Sequence, residues 1–354
     1  EDTAPRTSDL VITEDGYILI LFRIKNSGPP VFLMHGLINS ADDWLTLGED
    51  ALPFLLAEAG FDVYLGNVRG NKYCRNHVEL SPNEKTFWNF TFHEMGFYDL
   101  PALIDYTLKI SNRPQLTYIG HSQGTIVFYV MASLRPEYNE KVSLMISMAT
   151  VAWLYHEGTP VLRALVPLSN QEAFIAKSLG FYEILAYDAF WRFITTRLCP
   201  SSDFTLFICA SVLFTTYGFD YGQLNYTQFP LQIGHFPAGA SIKQVLHFAQ
   251  LIKSKDFRQF DYGSDVNSKA YGAAVPPSYP VEKITAPVAI MYGDNDQISS
   301  FQDVKILMSK LANVVDVYRV PYKYMNHMDY LWGKDAKSLV YKKVLNLTMS
   351  FGAV

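Results

Sequence analysis

Cysteine is scarce in this chain. Three cysteines, Cys74, Cys199 and Cys209, occur in 354 residues. They can form at most one disulfide and leave at least one thiol unpaired. Basic excess is also missing: the net charge is −5 and the sequence pI about 5.9. Lys and Arg are scattered, so no basic face for nucleic acid is implied. No apolar leader-type run opens the chain. The polar start "EDTAPRTSD" reads as the beginning of a processed, mature protein. The longest uncharged stretch, Phe204 to Phe219, is too short to cross a bilayer comfortably, and Ser and Thr interrupt it. It reads as a buried helix, or as one lying against lipid. No repeat or low-complexity tract occurs. No His, Cys and Asp cluster has metal-ligand spacing, so neither a metal nor an organic cofactor is expected.

What is abundant is apolar. Residues of that class make up 49% of the chain against 18% charged, and aromatics reach 15%. Such a balance suits a large core and excludes disorder. It leaves room for a broad apolar binding surface.

The first half alternates strand and helix patterns. Gly16–Ile24 is a strand bounded by turn signals. "VFLMHG", "FDVYLG", "QLTYIG" and "VSLMISMA" are short apolar runs without alternation, as strands covered on both faces should be. Helical patterns over Leu52–Gly60, Glu94–Ile110 and Thr125–Leu134 separate them. The implied fold class is α/β, a mostly parallel sheet with helices on both faces. From Trp153 to Pro277 helical spacing persists without strands of that quality. The sheet pattern then returns at Pro287–Gly293 and Val314–Val320, before a final helix near Lys334–Ser350. The expected organisation is a core over residues 1–152 and 278–354, interrupted by a mainly helical insertion over 153–277.

The stretch "YIGHSQGTIVF" carries the chemistry. Gly-X-Ser-X-Gly turns up by chance in about one chain in ten of this length, so the pattern alone is weak. Its setting is stronger. A strand ends at Gly120 and a helix follows Gly124. So sharp a turn strains the serine backbone, and glycines two residues either side remove clashing Cβ atoms. The helix start also offers free N–H groups to a developing oxyanion.

A serine nucleophile needs a histidine base oriented by a carboxylate, in the chain order Ser, Asp or Glu, His. Only His327, in "YMNHMDYLW", follows the last strand. The carboxylate should follow "PVAIMYG". Asp294 adjoins the strand end and can cap the turn, Asp303 falls in the first turn of the next helix, and Asp296 stands out on the loop. Position favours Asp296 and leaves the other two open. The N–H of Gln123 and that of Leu37, in the loop after "VFLMHG", are the expected oxyanion donors. His35, at the end of a buried strand, reads as a structural hydrogen-bonder. Three Asn-X-Ser/Thr triplets, at Asn89, Asn225 and Asn346, lean toward glycosylation and the secretory pathway.

Several segments resemble the acid lipase family, which includes gastric and lysosomal acid lipases. They are "TEDGYIL", "MHGLINSADDW", "LAEAGFDVYLGNVRGNKY", "FWNFTFHEMGFYDLPALIDY", "YIGHSQGT", "HFPAGASIKQVLHFAQLIKSKDFRQFDYG" and "YMNHMDYLWGKDA", in family order over nearly the whole chain. The resemblance implies an α/β-hydrolase core, hydrolysis of lipid esters and a route to the secretory pathway. It maps the nucleophile to Ser122, the base to His327, the acid to Asp296 and the oxyanion donors to Leu37 and Gln123. The insertion corresponds to the family's helical cap and lid, and Cys199 with Cys209 to its cap disulfide, which would leave Cys74 free. The expected partners are a lipid ester and a lipid–water interface. Two departures stand out. Part of the usual lead-in before "TEDGYIL" is missing, which predicts a shortened first strand. The loop after Asp296 reads "QISSF" rather than the family's "LADP"-like sequence. Competing readings are an epoxide hydrolase or dehalogenase, which would have aspartate in place of Ser122, and a non-catalytic lipid carrier, which would usually lack the serine or histidine.

Overall fold

The computed structural model describes residues 6–156, 158–169 and 182–352. The polar start lies partly outside these residues, as do Glu157 and positions 170–181 of the insertion.

The fold is α/β. Nine strands form one sheet in the order β1-β2-β4-β3-β6-β7-β10-β11, with a two-residue β5 beside β2. The strands are β1 (Arg6–Ile12), β2 (Tyr17–Ile24), β3 (Pro30–Met34), β4 (Asp62–Gly66), β5 (Asn76–His77), β6 (Leu116–His121), β7 (Val142–Met148), β10 (Val288–Tyr292) and β11 (Val314–Arg319). A separate ribbon pairs β8 (Glu183–Ile184) with β9 (Ala240–Ser241). Pairing is antiparallel for β1–β2 and β2–β4 and parallel from β4 to β11. Parallel neighbours need a crossover. α1 (Leu52–Glu58), α2 (Leu100–Ser111) and α3 (Gln123–Leu134) supply the first three.

Every residue of β3, β4 and β10 is buried, which explains their unbroken apolar runs. Side chains still alternate between the faces. Phe32, Met34, Tyr118, Val288 and Ile290 join the cluster that holds Leu103 and Ile104 of α2 and Phe128 of α3. Val31, Leu33, Ile119, Ala289 and Met291 join the one that holds Leu52 and Leu56 of α1. One sheet thus divides two cores.

The first strand, β1, is seven residues long. β1 runs in unbroken antiparallel register with β2 from Arg6↔Ile24 to Ile12↔Ile18. Its burial is weak, with Leu10 and Ile12 exposed, so "RTSDLVI" carries little apolar signal. Pairing to β2 makes it a strand.

Between β7 and β10 the chain leaves the sheet through α4 (Pro160–Leu165), α5 (Ala189–Phe193), α6 (Asp203–Tyr217), α7 (Phe229–His235), α8 (Ile242–Ser254) and α9 (Ser264–Tyr271). α6 holds residues 204–217 of the longest uncharged stretch, and the buried-helix reading of it fails. Leu206, Ala210, Phe214 and Tyr217 form its one buried row. Phe204, Phe207, Ile208 and Val212 are exposed, Phe204 at 72% and Val212 at 63%. α8 is anchored differently: Phe248 and His247 pack on Phe92 of the first core, with ring centroids 5.2 and 4.0 Å away. After β10, α10 (Phe301–Lys310) leads to β11. The chain ends in α11 (Lys342–Phe351), preceded by a wider turn over Lys337–Tyr341.

Candidate active site

The loops at the carboxyl ends of β3, β6, β10 and β11 meet above the sheet, where open α/β folds bind ligands. Ser122 stands between β6 and α3 with φ 53° and ψ −119°. Few non-glycine residues adopt this region. The flanking glycines are required by close approach. A Cβ at Gly120 would lie 2.7 Å from the Gly124 carbonyl oxygen, and one at Gly124 only 2.3 Å from that of Met34. The Ser122 amide donates to the Met148 carbonyl at 3.1 Å, which ties the turn to β7. α3 starts at Gln123, two residues before the sequence pattern suggests.

Ser122, Asp296 and His327 come together from three distant positions. Ser122 Oγ is 2.7 Å from His327 Nε2. His327 Nδ1 is 2.9 Å from each Asp296 carboxylate oxygen. With the Nδ1 proton donated to Asp296, Nε2 keeps a lone pair to accept the serine hydroxyl proton. Asp296 Oδ1 also accepts from the amides of Ile298 and Ser299 at 2.9 and 2.8 Å, which fixes the carboxylate. All three residues are buried, with exposures of 9% for Ser122, 6% for Asp296 and 1% for His327. Burial places these polar contacts in a lower local dielectric than bulk water.

The other two carboxylates point elsewhere. Asp294 pairs with Arg319 at the surface, 2.5 Å away. Asp303, in the first turn of α10, accepts from the His156 ring and amide. Gln123 directly follows the nucleophile, and Leu37 lies on the loop after β3. The Gln123 amide is the first N–H of α3, a helix position with no internal partner. Leu37 and Ser122 line one cavity, and neither the Leu37 nor the Gln123 amide has a hydrogen-bond partner among the described residues.

Two other histidines are held neutral. His35 Nδ1 donates to the Gly36 carbonyl at 2.8 Å, and its Nε2 accepts from the Asn71 side chain. Burial lowers its pKa to about 4. His121, beside the nucleophile, has its pKa pushed to about 3, first by burial and next by the nearby His327. Its Nε2–H donates to the His327 carbonyl at 2.8 Å. Chain order sets His121 aside as a base and gives no hint of this contact. Tyr217, whose ring stacks on His327, was also illegible, because nothing in an apolar helix marks one aromatic residue.

The triad faces an apolar cavity of about 460 Å³. Val161 of α4, Trp191 of α5, Ile208 and Val212 of α6 and Phe236 line it together with Ser122. Cys199 and Cys209 also line it and are bonded to each other; Cys74 is free and buried. Burial pushes the Cys74 thiol well above its ordinary range, so it stays protonated.

Sheet, elbow and the Ser–His–Asp arrangement define an α/β hydrolase. A family described as "alpha/beta hydrolase fold" matches residues 29–333, and one described as "Partial alpha/beta-hydrolase lipase region" matches residues 5–48. The chain is 40% identical to Lipase 1 of Drosophila melanogaster over 95% of its own length and 75% of that protein. It is 36% identical to the gastric triacylglycerol lipase of Homo sapiens, over 95% and 86%. The structure of an esterase from Thermogutta terrifontis has the same fold, with TM-score 0.52 and 15% identity over 98% of this chain and 100% of that one. The chain belongs to the acid lipase family of α/β hydrolases, the family of the gastric lipases, and is a carboxylic ester hydrolase.

Proposed function

We propose that the protein hydrolyses lipid esters through an acyl-enzyme on Ser122. The observation that carries this reading is the continuous chain Asp296–His327–Ser122 opening into an apolar cavity. His327 takes the proton of Ser122 as the oxygen attacks the ester carbonyl. Asp296 holds the imidazole tautomer and stabilises the imidazolium. The Leu37 and Gln123 amides bind the oxyanion, and each donor is worth about 3–4 kcal/mol of barrier. His327 then protonates the leaving alcohol, and water repeats the sequence on the acyl-enzyme.

A long acyl chain fits a cavity of this size and lining, which falls within the usual ligand range of about 300–1,000 Å³. Residues 153–277 act as a cap, with α4, α5 and α6 as its mobile part. The exposed apolar face of α6, with Phe190 and Phe193 of α5, suits a lipid–water interface. Among the described residues no helix is long and apolar enough to cross a membrane. The disulfide and the Asn triplets favour a secreted or lysosomal route. Asn89 and Asn346 are exposed, although Asn89 accepts from Lys243 and Thr348 of the Asn346 triplet is buried; Asn225 is half-buried and accepts from the Thr227 amide.

A fluorophosphonate probe should label the wild type and not Ser122→Ala. Equal labelling, or none of the wild type, sinks the acyl-enzyme. A panel of esters of rising acyl length should favour long chains, and a strong preference for short ones refutes the lipid reading.

A further inference from the structure

The last residue of α6 sits against the candidate base. The Tyr217 ring lies parallel to the His327 imidazole, with centroids 5.9 Å apart and planes 11° from parallel. The Tyr217 carbonyl accepts from the His327 amide at 3.2 Å and from the amide of Gln297, next to Asp296, at 3.5 Å. The following residues continue the contact. Asn326 Nδ2 donates to the Gly218 carbonyl at 3.0 Å, and Asn295 Nδ2 to that of Phe219 at 3.0 Å. Gly218 has φ +107°, and a Cβ there would lie 2.1 Å from the Asn295 carbonyl oxygen. Only glycine lets the helix end come this close.

Hydrogen bonds at Nδ1 and Nε2 define an axis through the imidazole. Rotation of the ring about that axis is left to whatever packs on its faces. Tyr217 stacks on the ring parallel and offset, and the tilted His121 ring lies 5.1 Å away. The backbone of His327 is meanwhile held at both ends, through its carbonyl by His121 and through its amide by Tyr217. One clamp belongs to the nucleophile's turn and the other to the cap.

We propose that Tyr217 is a positioning residue for His327, coupling the seating of cap helix α6 to the ring orientation that catalysis requires. The proposal rests on the Ser122–His327–Asp296 reading above. A cap movement that keeps the base aligned then leaves the carboxyl-terminal turn of α6 seated and bends the chain before it. The Tyr217 hydroxyl has no hydrogen-bond partner among the described residues, so the ring and the backbone carry the effect.

The test uses the full chain and p-nitrophenyl butyrate below its solubility limit, where no interface forms. Tyr217→Leu should lower kcat ~10- to 100-fold, as loss of alignment does, with KM within about two-fold. The rate of fluorophosphonate labelling should fall by the same factor. Tyr217→Phe should restore both to within about two-fold of wild type, because it keeps the ring. Wild-type kcat and labelling rate in a folded Tyr217→Leu overturn the proposal, as does a change confined to KM or to emulsified substrate, which marks a cap residue only. Should Tyr217→Leu not fold, Asn295→Ala loosens the same anchor from an exposed side. It should lower kcat about three- to ten-fold at constant KM, and wild-type kcat there overturns the proposal. A wild type that does not label at all removes the triad reading itself and the proposal with it, an outcome distinct from normal labelling of both proteins.

Discussion

Gly124→Ala tests how the fold aims the serine. The added methyl carbon would sit 2.3 Å from the Met34 carbonyl oxygen, where ordinary contact begins at 3.4 Å. Both partners are backbone, one in β3 and one in the first turn of α3, so no side chain can swing aside. The helix start must retreat by about 1 Å, taking Ser122 and the Gln123 amide with it. A misplacement of that size costs about 10²-fold in rate, equivalent to about 2.7 kcal/mol of barrier. Overpacking should also lower stability by about 1–3 kcal/mol. Gly120→Ala should be milder, because its methyl would meet the Gly124 carbonyl at 2.7 Å and needs less retreat. Gly48→Ala separates displacement from strain in general. Gly48 has φ +63° with nothing within 4 Å of an added methyl, so stability falls while kcat stays. The assay is kcat on a soluble p-nitrophenyl ester, with thermal melting in parallel. A folded Gly124→Ala with wild-type kcat and labelling rate would refute the steric account of the motif.

Asp296→Asn should keep the fold and lower kcat by about 10⁴, since the amide cannot hold the required imidazole tautomer. Equal activity in Asp296→Asn, or a comparable loss in Asp294→Asn, would reassign the acid. Replacing Cys199 and Cys209 by serine opens a loop of sequence separation 10 and should cost about 2–3 kcal/mol, read as a lower denaturation midpoint. Asp43 is fully buried, and desolvation raises its pKa to about 7. The folded protein therefore holds a proton that the unfolded chain releases near pH 4. That stabilisation is complete below pH 4, on the order of 4 kcal/mol, and is lost as pH rises through 7. Chemical denaturation across pH 4–8 should show a shallower alkaline decline for Asp43→Asn, which keeps an acceptor for the Ser40 amide. Parallel wild-type and variant curves would count against it.

The parallel strands were legible because burial on both faces leaves an unbroken apolar run, and β3, β4, β6 and β10 all carry one. β1 was not, since its strand character comes from β2 across a ladder rather than from its own residues. α6 misled for a related reason. Its residues are apolar on every side, so composition could not separate the row that packs from the row left open.

The sequence by itself determined the turn at Ser122. A strand, two glycines and a helix start are neighbours in the chain, and their sterics are local. Chain order also left His327, after the last strand, as the expected base. Position and the family resemblance pointed to Asp296, and the tertiary structure shows that Asp296 reaches the imidazole while Asp294 turns to Arg319 and Asp303, on α10, to His156. Tertiary structure alone decided that His121 and Tyr217 both contact His327, one through its carbonyl and the other through its ring and amide. Contacts between residues 110 to 206 positions apart depend on how whole elements pack, and no local pattern encodes them.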